Sequence, residues 1–198
     1  MIYSASVEIN DSGDDYAHLV TRAQEGDNEA FGLIIEHHYR FVYKFIYAMV
    51  GERSIAEELT QETFLSAYKG IHLLRGDAKL RTWLFTIAKN AVNRFFRSHR
   101  REINRAESEV ETLNILDEKS LRPDRQFLSK ELKEVIHSAL EKLDDDKRLV
   151  FILKEFQQLS YKEISEITGH AIPKLKTDLH RAKTEMRNLL RFYHGGQK

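Results

Sequence analysis

Residues 160–183 read SYKEISEITGHAIPKLKTDLHRAK and hold the clearest structural pattern of the chain. Ser160 and Glu163 have the S-x-x-E spacing of a capping box, in which the two side chains satisfy free backbone N–H groups of a first helical turn. Gly169 is suited to end that helix, and Pro173 is suited to the first turn of the next one. A short capped helix, a glycine-containing turn and a longer helix predict a helix-turn-helix.

The longer helix of this pair has an apolar face and a basic face. Apolar residues recur at spacings of four and three, which predicts that these side chains pack inward: Leu175, Leu179, Ala182, Met186 and Leu189. Polar and basic residues lie largely elsewhere on the cylinder, and five are candidate DNA contacts: Lys176, Thr177, His180, Arg181 and Lys183. A solvated basic face is the alternative, but the coincidence of cap, turn and basic face favours DNA binding.

The composition predicts an all-α protein of two small domains. The chain has 198 residues, of which 41% are hydrophobic and 31% charged, with two prolines and nine glycines. That profile suits compact helical domains better than a disordered chain or a β sandwich. Cysteine is absent, which excludes disulfides, thiolate zinc sites and a thiol nucleophile. The start lacks a signal peptide, and Lys44 interrupts the longest apolar stretch, so we expect a cytoplasmic protein without membrane insertion.

Apolar periodicity and its interruptions divide the chain into five parts. We expect a flexible leader over 1–15, a helical domain over 16–101, an acidic linker over 102–126, a helix-turn-helix domain over 127–193 and a tail over 194–198. The predicted fold is thus two small helical domains joined by an acidic linker, with the helix-turn-helix in the C-terminal one.

A neutral total charge hides two basic segments. Basic and acidic residues number 31 each, yet residues 89–101 hold five basic residues and no acid, and residues 168–198 hold seven basic residues against two acids. Phosphates are attracted to such patches and repelled by the acidic remainder. The charge pattern therefore indicates two separate places at which DNA binds.

The first domain carries a second candidate site. Glu58, Gln61 and Glu62 lie close to Phe64 in the sequence. An acidic rim beside an aromatic ring suits docking on a basic protein surface. A solvent-exposed helix face can have the same acidic composition. Further along, an aromatic-rich helix runs into the first basic segment. Aromatic rings and cations together suit single-stranded DNA.

Six motifs, in this order, give the chain its resemblance to a known family, the extracytoplasmic-function (ECF) group of bacterial sigma-70 factors. The motifs are Gln24-x-Gly26-Asp27-x-x-Ala30-Phe31, Glu58-x-x-Gln61-Glu62-x-Phe64, Arg75-Gly76-Asp77, Thr82-Trp83-Leu84, Leu159-Ser160-Tyr161-x-Glu163-Ile164 and Lys176-x-x-Leu179-His180-Arg181-Ala182. The resemblance runs from Ala17 to Leu190.

The resemblance implies a transcription initiation factor of stress responses that binds core RNA polymerase and promoter DNA. It places core binding at Glu58, Gln61, Glu62 and Phe64, and minus-ten recognition and melting at Leu74, Arg75, Asn90, Arg94 and Arg97. It places minus-thirty-five recognition at Lys176, Thr177, His180, Arg181 and Lys183. It further implies a linker that runs toward the polymerase active centre and an anti-sigma factor as partner.

Three positions depart from the family's usual residues. Leu74 stands where Phe is common, Arg94 where Asp is common, and Asp178 where a basic residue is common. An acid at 178 would repel phosphate or accept a hydrogen bond from cytosine. The promoter sequence therefore cannot be copied from relatives.

Two other classes of function fit the sequence less well. A stand-alone dimeric helix-turn-helix regulator would bind palindromic half-sites without polymerase, but it leaves the Glu58–Phe64 motif without a role. An enzyme would need a site, and the densest cluster, Glu36-His37-His38, places its two histidines roughly 100° apart on a helix. We therefore expect no catalytic residues, no metal and no cofactor.

Overall fold

A computed structural model of the chain describes residues 13–74, 79–107 and 125–194, and every regular element in these ranges is helical. The all-α fold expected from the composition is confirmed. Within the described residues, no helix is both long and apolar enough to cross a membrane.

Four helices build the N-terminal part: α1 (Gly13–Gln24), α2 (Asn28–Val50), α3 (Arg53–Gly70), a 3-10 turn (Ile71–Leu73) and α4 (Leu80–Glu107). Asp27 starts α2, because its Oδ1 accepts hydrogen bonds from the backbone N–H groups of Glu29 and Ala30. The core of this part is apolar and aromatic, with the rings of Phe45 and Phe85 packed edge to face at 5.4 Å.

The fourth helix is longer than its apolar pattern. The sequence predicts a helix that ends at Arg101, whereas α4 continues to Glu107. Residues 97–101 are exposed, and an exposed helical turn needs no apolar residue to mark its period. The helix therefore continues six residues past the point at which its pattern stops.

Four further helices build the C-terminal part: α5 (Arg125–Glu141), α6 (Asp145–Phe151), a π-helical turn (Ile152–Phe156), α7 (Tyr161–Thr168) and α8 (Ile172–His194). The predicted capping box is confirmed: Ser160 accepts from the Glu163 backbone N–H, and Glu163 accepts from the Ser160 backbone N–H at 2.8 Å. Gly169 ends α7 with φ +75°, a left-handed conformation that side chains other than glycine rarely adopt.

The predicted apolar stripe of α8 is also confirmed. Leu175, Leu179, Ala182 and Met186 are buried, and Leu189 packs half-buried against the same core. Because these residues recur every three or four positions, one side of the helix packs against the domain core and the opposite side faces solvent.

The two halves pack against each other. Helix α4 lies along α7, and α2 contacts the π-helical turn. Arg148 of α6, only 8% exposed, joins the halves: its guanidinium donates to the carbonyl of Met49 at 3.1 Å and to the carbonyls of Glu141 and Leu143. At the same interface, a Cβ at Gly51 would collide with the ring of His137.

We predict that Ser160→Ala lowers the free energy of unfolding by about 1 kcal/mol, because α7 loses the acceptor of its capping box. Ser160→Thr keeps a hydroxyl at the same place and serves as the control. Urea titration followed by circular dichroism measures both; an equal loss in the two variants would rule out the cap as the cause.

A second prediction concerns pH. Burial by itself would raise the pKa of Glu163, but hydrogen bonds from Ser160 and Lys79 outweigh it and lower this pKa to about 2. A carboxyl group with a lowered pKa stabilises the folded chain above its usual pKa of 4.5, and the stabilisation is lost as the pH falls toward 2. The difference in unfolding free energy between wild type and Glu163→Gln should therefore be larger at about pH 6 than at about pH 3. A difference that does not change with pH would contradict the assignment.

Candidate functional site

The solvent side of α8 carries the polar set that the sequence singles out. Lys176, Thr177, His180 and Arg181 are all exposed on it. Lys183 is exposed too, but its ammonium pairs with Glu155 at 2.9 Å. Long cationic and short polar side chains thus occupy one face of a helix whose opposite face is buried, which is the arrangement that lets a helix lie in a DNA groove.

Carboxylates hold the first turns of α8 against α6. The Lys174 ammonium lies 2.7 Å from Asp146 and 2.7 Å from Asp178. Its hydrogen bonds to these carboxylates raise the pKa of Lys174, and the bond from Lys174 lowers the pKa of Asp146. Asp178 is buried, at 9% exposure, and faces this lysine. This placement is against a hydrogen bond from cytosine to Asp178, because the side chain is buried and paired with Lys174.

The residues assigned to minus-ten DNA are divided by the structure. Asn90, Arg94 and Arg97 are exposed on one stretch of α4. Leu74 is 5% exposed, and its carbonyl accepts a hydrogen bond from Gln24 at 2.7 Å. This placement is against a direct contact of the Leu74 side chain with DNA, because the side chain fills the core. Arg75 lies outside the described residues.

The exposed stretch of α4 opens onto a cleft of about 530 Å³. The lining of this cleft consists of cations, amides and one ring, with a single carboxylate from α6: Arg94, Arg97, Arg100, Asn90, Asn93, Phe96 and Asp145. Guanidinium groups bind phosphates, amides bind base edges and an aromatic ring stacks on a base. The cleft therefore has the chemistry that a single strand of nucleic acid requires.

The acidic set on α3 is partly exposed and partly structural. Glu58 and Gln61 are exposed, while Glu62 is half-buried and forms an ion pair with Arg94 of α4. Phe64 is only 5% exposed, and its ring stacks on Tyr39 with centroids 6.1 Å apart. Because Tyr39 covers the ring of Phe64, this ring supports the exposed residues of α3 from inside the domain.

Sequence reasoning did not single out the cations that bond across the interface between the two halves of the chain. Lys79, Arg81 and Arg148 each bond to a partner more than 70 positions away. A basic residue within an apolar run, such as Arg81 between Leu80 and Trp83, is the one local signal that a charge will be partly buried. The identity of the partner depends on the tertiary structure.

The histidine cluster of α2 does not form a metal site. His38 is buried on the inner side of the helix, and His37 is half-buried. In the part of the chain that the structure describes, no three side chains of His, Asp or Glu come together so as to hold a metal ion.

Two family patterns match the chain. Sigma-70 region 2 matches residues 34–102, which hold the acidic set and the α4 cleft, and Sigma-70 region 4 matches residues 133–186, which hold α7 and most of α8.

Curated relatives match over most of their length. The RNA polymerase sigma factor YlaC of Bacillus subtilis is 34% identical over 155 residues, covering 78% of this chain and 88% of its own. The ECF RNA polymerase sigma-E factor of Escherichia coli K12 is 30% identical over 176 residues, covering 86% of this chain and 91% of its own.

Solved structures share the fold. The sigma factor RpoE from Bartonella quintana, in complex with the anti-sigma factor NepR, matches with a TM-score of 0.65 at 25% identity over 81% of this chain and 96% of its own. CnrH, in complex with the cytosolic domain of CnrY, matches with a TM-score of 0.65 at 22% identity over 88% of this chain and 96% of its own. Since both family patterns and the relatives agree with the two surfaces, the chain belongs to the extracytoplasmic-function group of the sigma-70 family and is a factor that directs RNA polymerase to promoters.

Proposed function

We propose that the two DNA-binding tasks are divided between residues 16–101 and residues 127–193, joined by the linker 102–126 and flanked by the leader 1–15 and the tail 194–198. The observation that carries the proposal is the two-sidedness of α8, whose buried stripe fixes a helix that presents Lys176, Thr177, His180 and Arg181 to solvent. These four residues read the minus-thirty-five element. Lys183, held by Glu155, contributes to phosphate binding.

The α4 cleft takes the melted minus-ten strand. Asn90 supplies an amide for a base edge, and Arg97 supplies a cation for the backbone. Arg94 binds DNA after its ion pair with Glu62 breaks. The sequence assigns Arg75 to the same minus-ten contacts. Leu74 anchors the end of the 3-10 turn in the core rather than contacting the strand.

Core RNA polymerase docks on the exposed part of α3. Glu58 and Gln61 contact it directly, since both are exposed, and Glu62 adds its carboxylate from the edge of the surface. Phe64 and Tyr39, stacked beneath, keep that surface rigid. Charge complementarity of this kind steers association with a basic partner.

The protein acts by positioning RNA polymerase at promoters and catalyses no reaction itself. No residue is assigned a catalytic role, and no cofactor is required. It works in the cytoplasm, without membrane insertion, and an anti-sigma factor restrains it until a stress signal arrives. The complex of RpoE with the anti-sigma factor NepR supports that partner class.

Run-off transcription with purified core enzyme on a library of randomised promoters tests the proposal as a whole. We expect enrichment of promoters with two sequence elements one spacer apart. A single enriched palindrome, bound equally well without core enzyme, would instead support a stand-alone dimeric regulator.

We predict that Arg181→Ala weakens transcription from an enriched promoter about tenfold, since one lost base or phosphate contact costs about 1–3 kcal/mol. Arg191→Ala removes an equally exposed arginine near the far end of the same helix and should change the rate less than twofold. Equal effects of the two substitutions would remove Arg181 from the reading face.

We also predict that Glu58→Lys lowers the affinity for core enzyme about tenfold, because a repulsive charge replaces an attractive one at the docking surface. The control is Glu134→Lys, which reverses an exposed carboxylate of α5. Glu58 is chosen over Glu62 because reversal at 62 also breaks the Arg94 ion pair. Fluorescence titration of labelled chain with core enzyme measures the affinity; wild-type binding by Glu58→Lys would exclude this residue from the surface.

A further inference from the structure

One cation of α8 lies on the same side of the helix as Arg181 and is nevertheless bonded to carboxylates. Lys174 belongs to the first turn of α8 and comes seven positions before Arg181. Residues at this spacing lie within about 20° of each other around a helix, so the two cations share one side of it. In a helix-turn-helix, the N-terminal residues of the second helix contact the base edges. Its place in the sequence therefore predicts that Lys174 contacts DNA.

The Lys174 ammonium is already occupied by two acceptors inside the domain. It donates to Oδ2 of Asp146 at 2.7 Å and to Oδ2 of Asp178 at 2.7 Å. Nε2 of His170 lies 3.5 Å from the same oxygen of Asp146. The hydrogen bonds to the two carboxylates raise the pKa of Lys174. Lys174 thus keeps its charge, but that charge is neutralised by protein groups.

Carboxylates outnumber the ammonium at the start of α8. Because Asp146 and Asp178 both bond to one lysine, the three side chains together carry a net negative charge. Such a group repels a phosphate, whereas an unpaired lysine at the same place would attract it. A phosphate that bound Lys174 would also have to replace hydrogen bonds that are already made.

The two aspartates differ in position. The side chain of Asp178 is 13% exposed and lies on α8 itself, so it takes part in the packing of this helix. The side chain of Asp146 is 54% exposed and comes from the first turn of α6. Asp146 therefore acts on α8 from another helix, and its charge can be removed without a change in the core.

We propose that Asp146 is a positioning residue for DNA binding: it holds Lys174 away from the phosphates, so that recognition depends on Thr177, His180 and Arg181. The inference rests on the proposed function, because it assumes that α8 lies on the minus-thirty-five element. Phosphate contacts strengthen binding to every sequence, whereas base contacts distinguish one sequence from another. A chain that withholds one lysine from the phosphates binds DNA of arbitrary sequence less tightly.

The first experiment removes the charge of Asp146 and leaves Lys174 in place. Asp146→Asn keeps the shape of the side chain, and Asp146→Glu keeps the carboxylate. The matched control, Asp144→Asn, removes an exposed carboxylate of the same segment, whose partner Lys147 also bonds to Glu185. Fluorescence anisotropy of a labelled duplex of mixed sequence, recorded with the full chain at several salt concentrations, measures the affinity and its salt dependence.

We expect Asp146→Asn to bind the duplex about threefold more tightly than Asp144→Asn, because Lys174 becomes available to a phosphate. The slope of log affinity against log salt concentration should become steeper by up to about 0.9, the value for one added phosphate contact. Asp146→Glu should bind as the wild type does. Equal affinity and equal slope for Asp146→Asn and its control would overturn the inference.

The second experiment asks whether Asp146 acts through Lys174. Lys174→Ala should weaken duplex binding about threefold in the Asp146→Asn background but less than about twofold in the wild type, where the ammonium is held inside the domain. Equal losses in the two backgrounds would overturn the inference, because Asp146 would then repel phosphate independently of Lys174.

Run-off transcription with core enzyme separates the inference from the proposed function. If Arg181→Ala weakens transcription while Asp146→Asn binds the duplex as its control does, the role of Asp146 alone is refuted. If neither Arg181→Ala nor Asp146→Asn changes duplex binding or transcription, the reading role of α8 and the inference are refuted together.

Discussion

A buried guanidinium determines how the two halves of this sigma factor meet. Arg148 lies on α6, yet it donates to the carbonyl of Met49 at the end of α2 as well as to two carbonyls of its own half. Hydrogen bonds lower the cost of burying a charge, and here both terminal nitrogens donate while Nε has no partner, so separation of the halves costs the bond to Met49 unless water replaces it. Arg148 thus joins α6 to the end of α2 in the register in which α7 lies along α4.

That register places charged groups of opposite sign together. Lys79 meets Glu163, Arg100 meets Asp145, and the end of α7 meets Lys89. The two basic patches that are separate in sequence consequently differ in availability: the one on α8 faces solvent, whereas the one on α4 is shared with the neighbouring half.

The acidic set on α3 and the α4 cleft are likewise connected. Glu62 of the acidic set pairs with Arg94 of the cleft, although sequence analysis assigns them to different partners. An ion pair between two binding surfaces couples them, because a ligand that takes one partner releases the other.

Local pattern was sufficient for the features that depend on near neighbours. The capping box of Ser160 and Glu163, the turn at Gly169 and the stripe from Leu175 to Met186 each rest on residues within one or two helical turns, so spacing alone predicts them. The contacts of Lys79 with Glu163, 84 positions away, and of Arg148 with Met49, 99 positions away, have no local signature. Phe64 and Leu74, which the family resemblance assigns to binding, are instead buried in the domain core. Periodicity specifies which face of a helix is apolar, whereas the packing of helices on one another specifies which charged and aromatic groups remain free to bind.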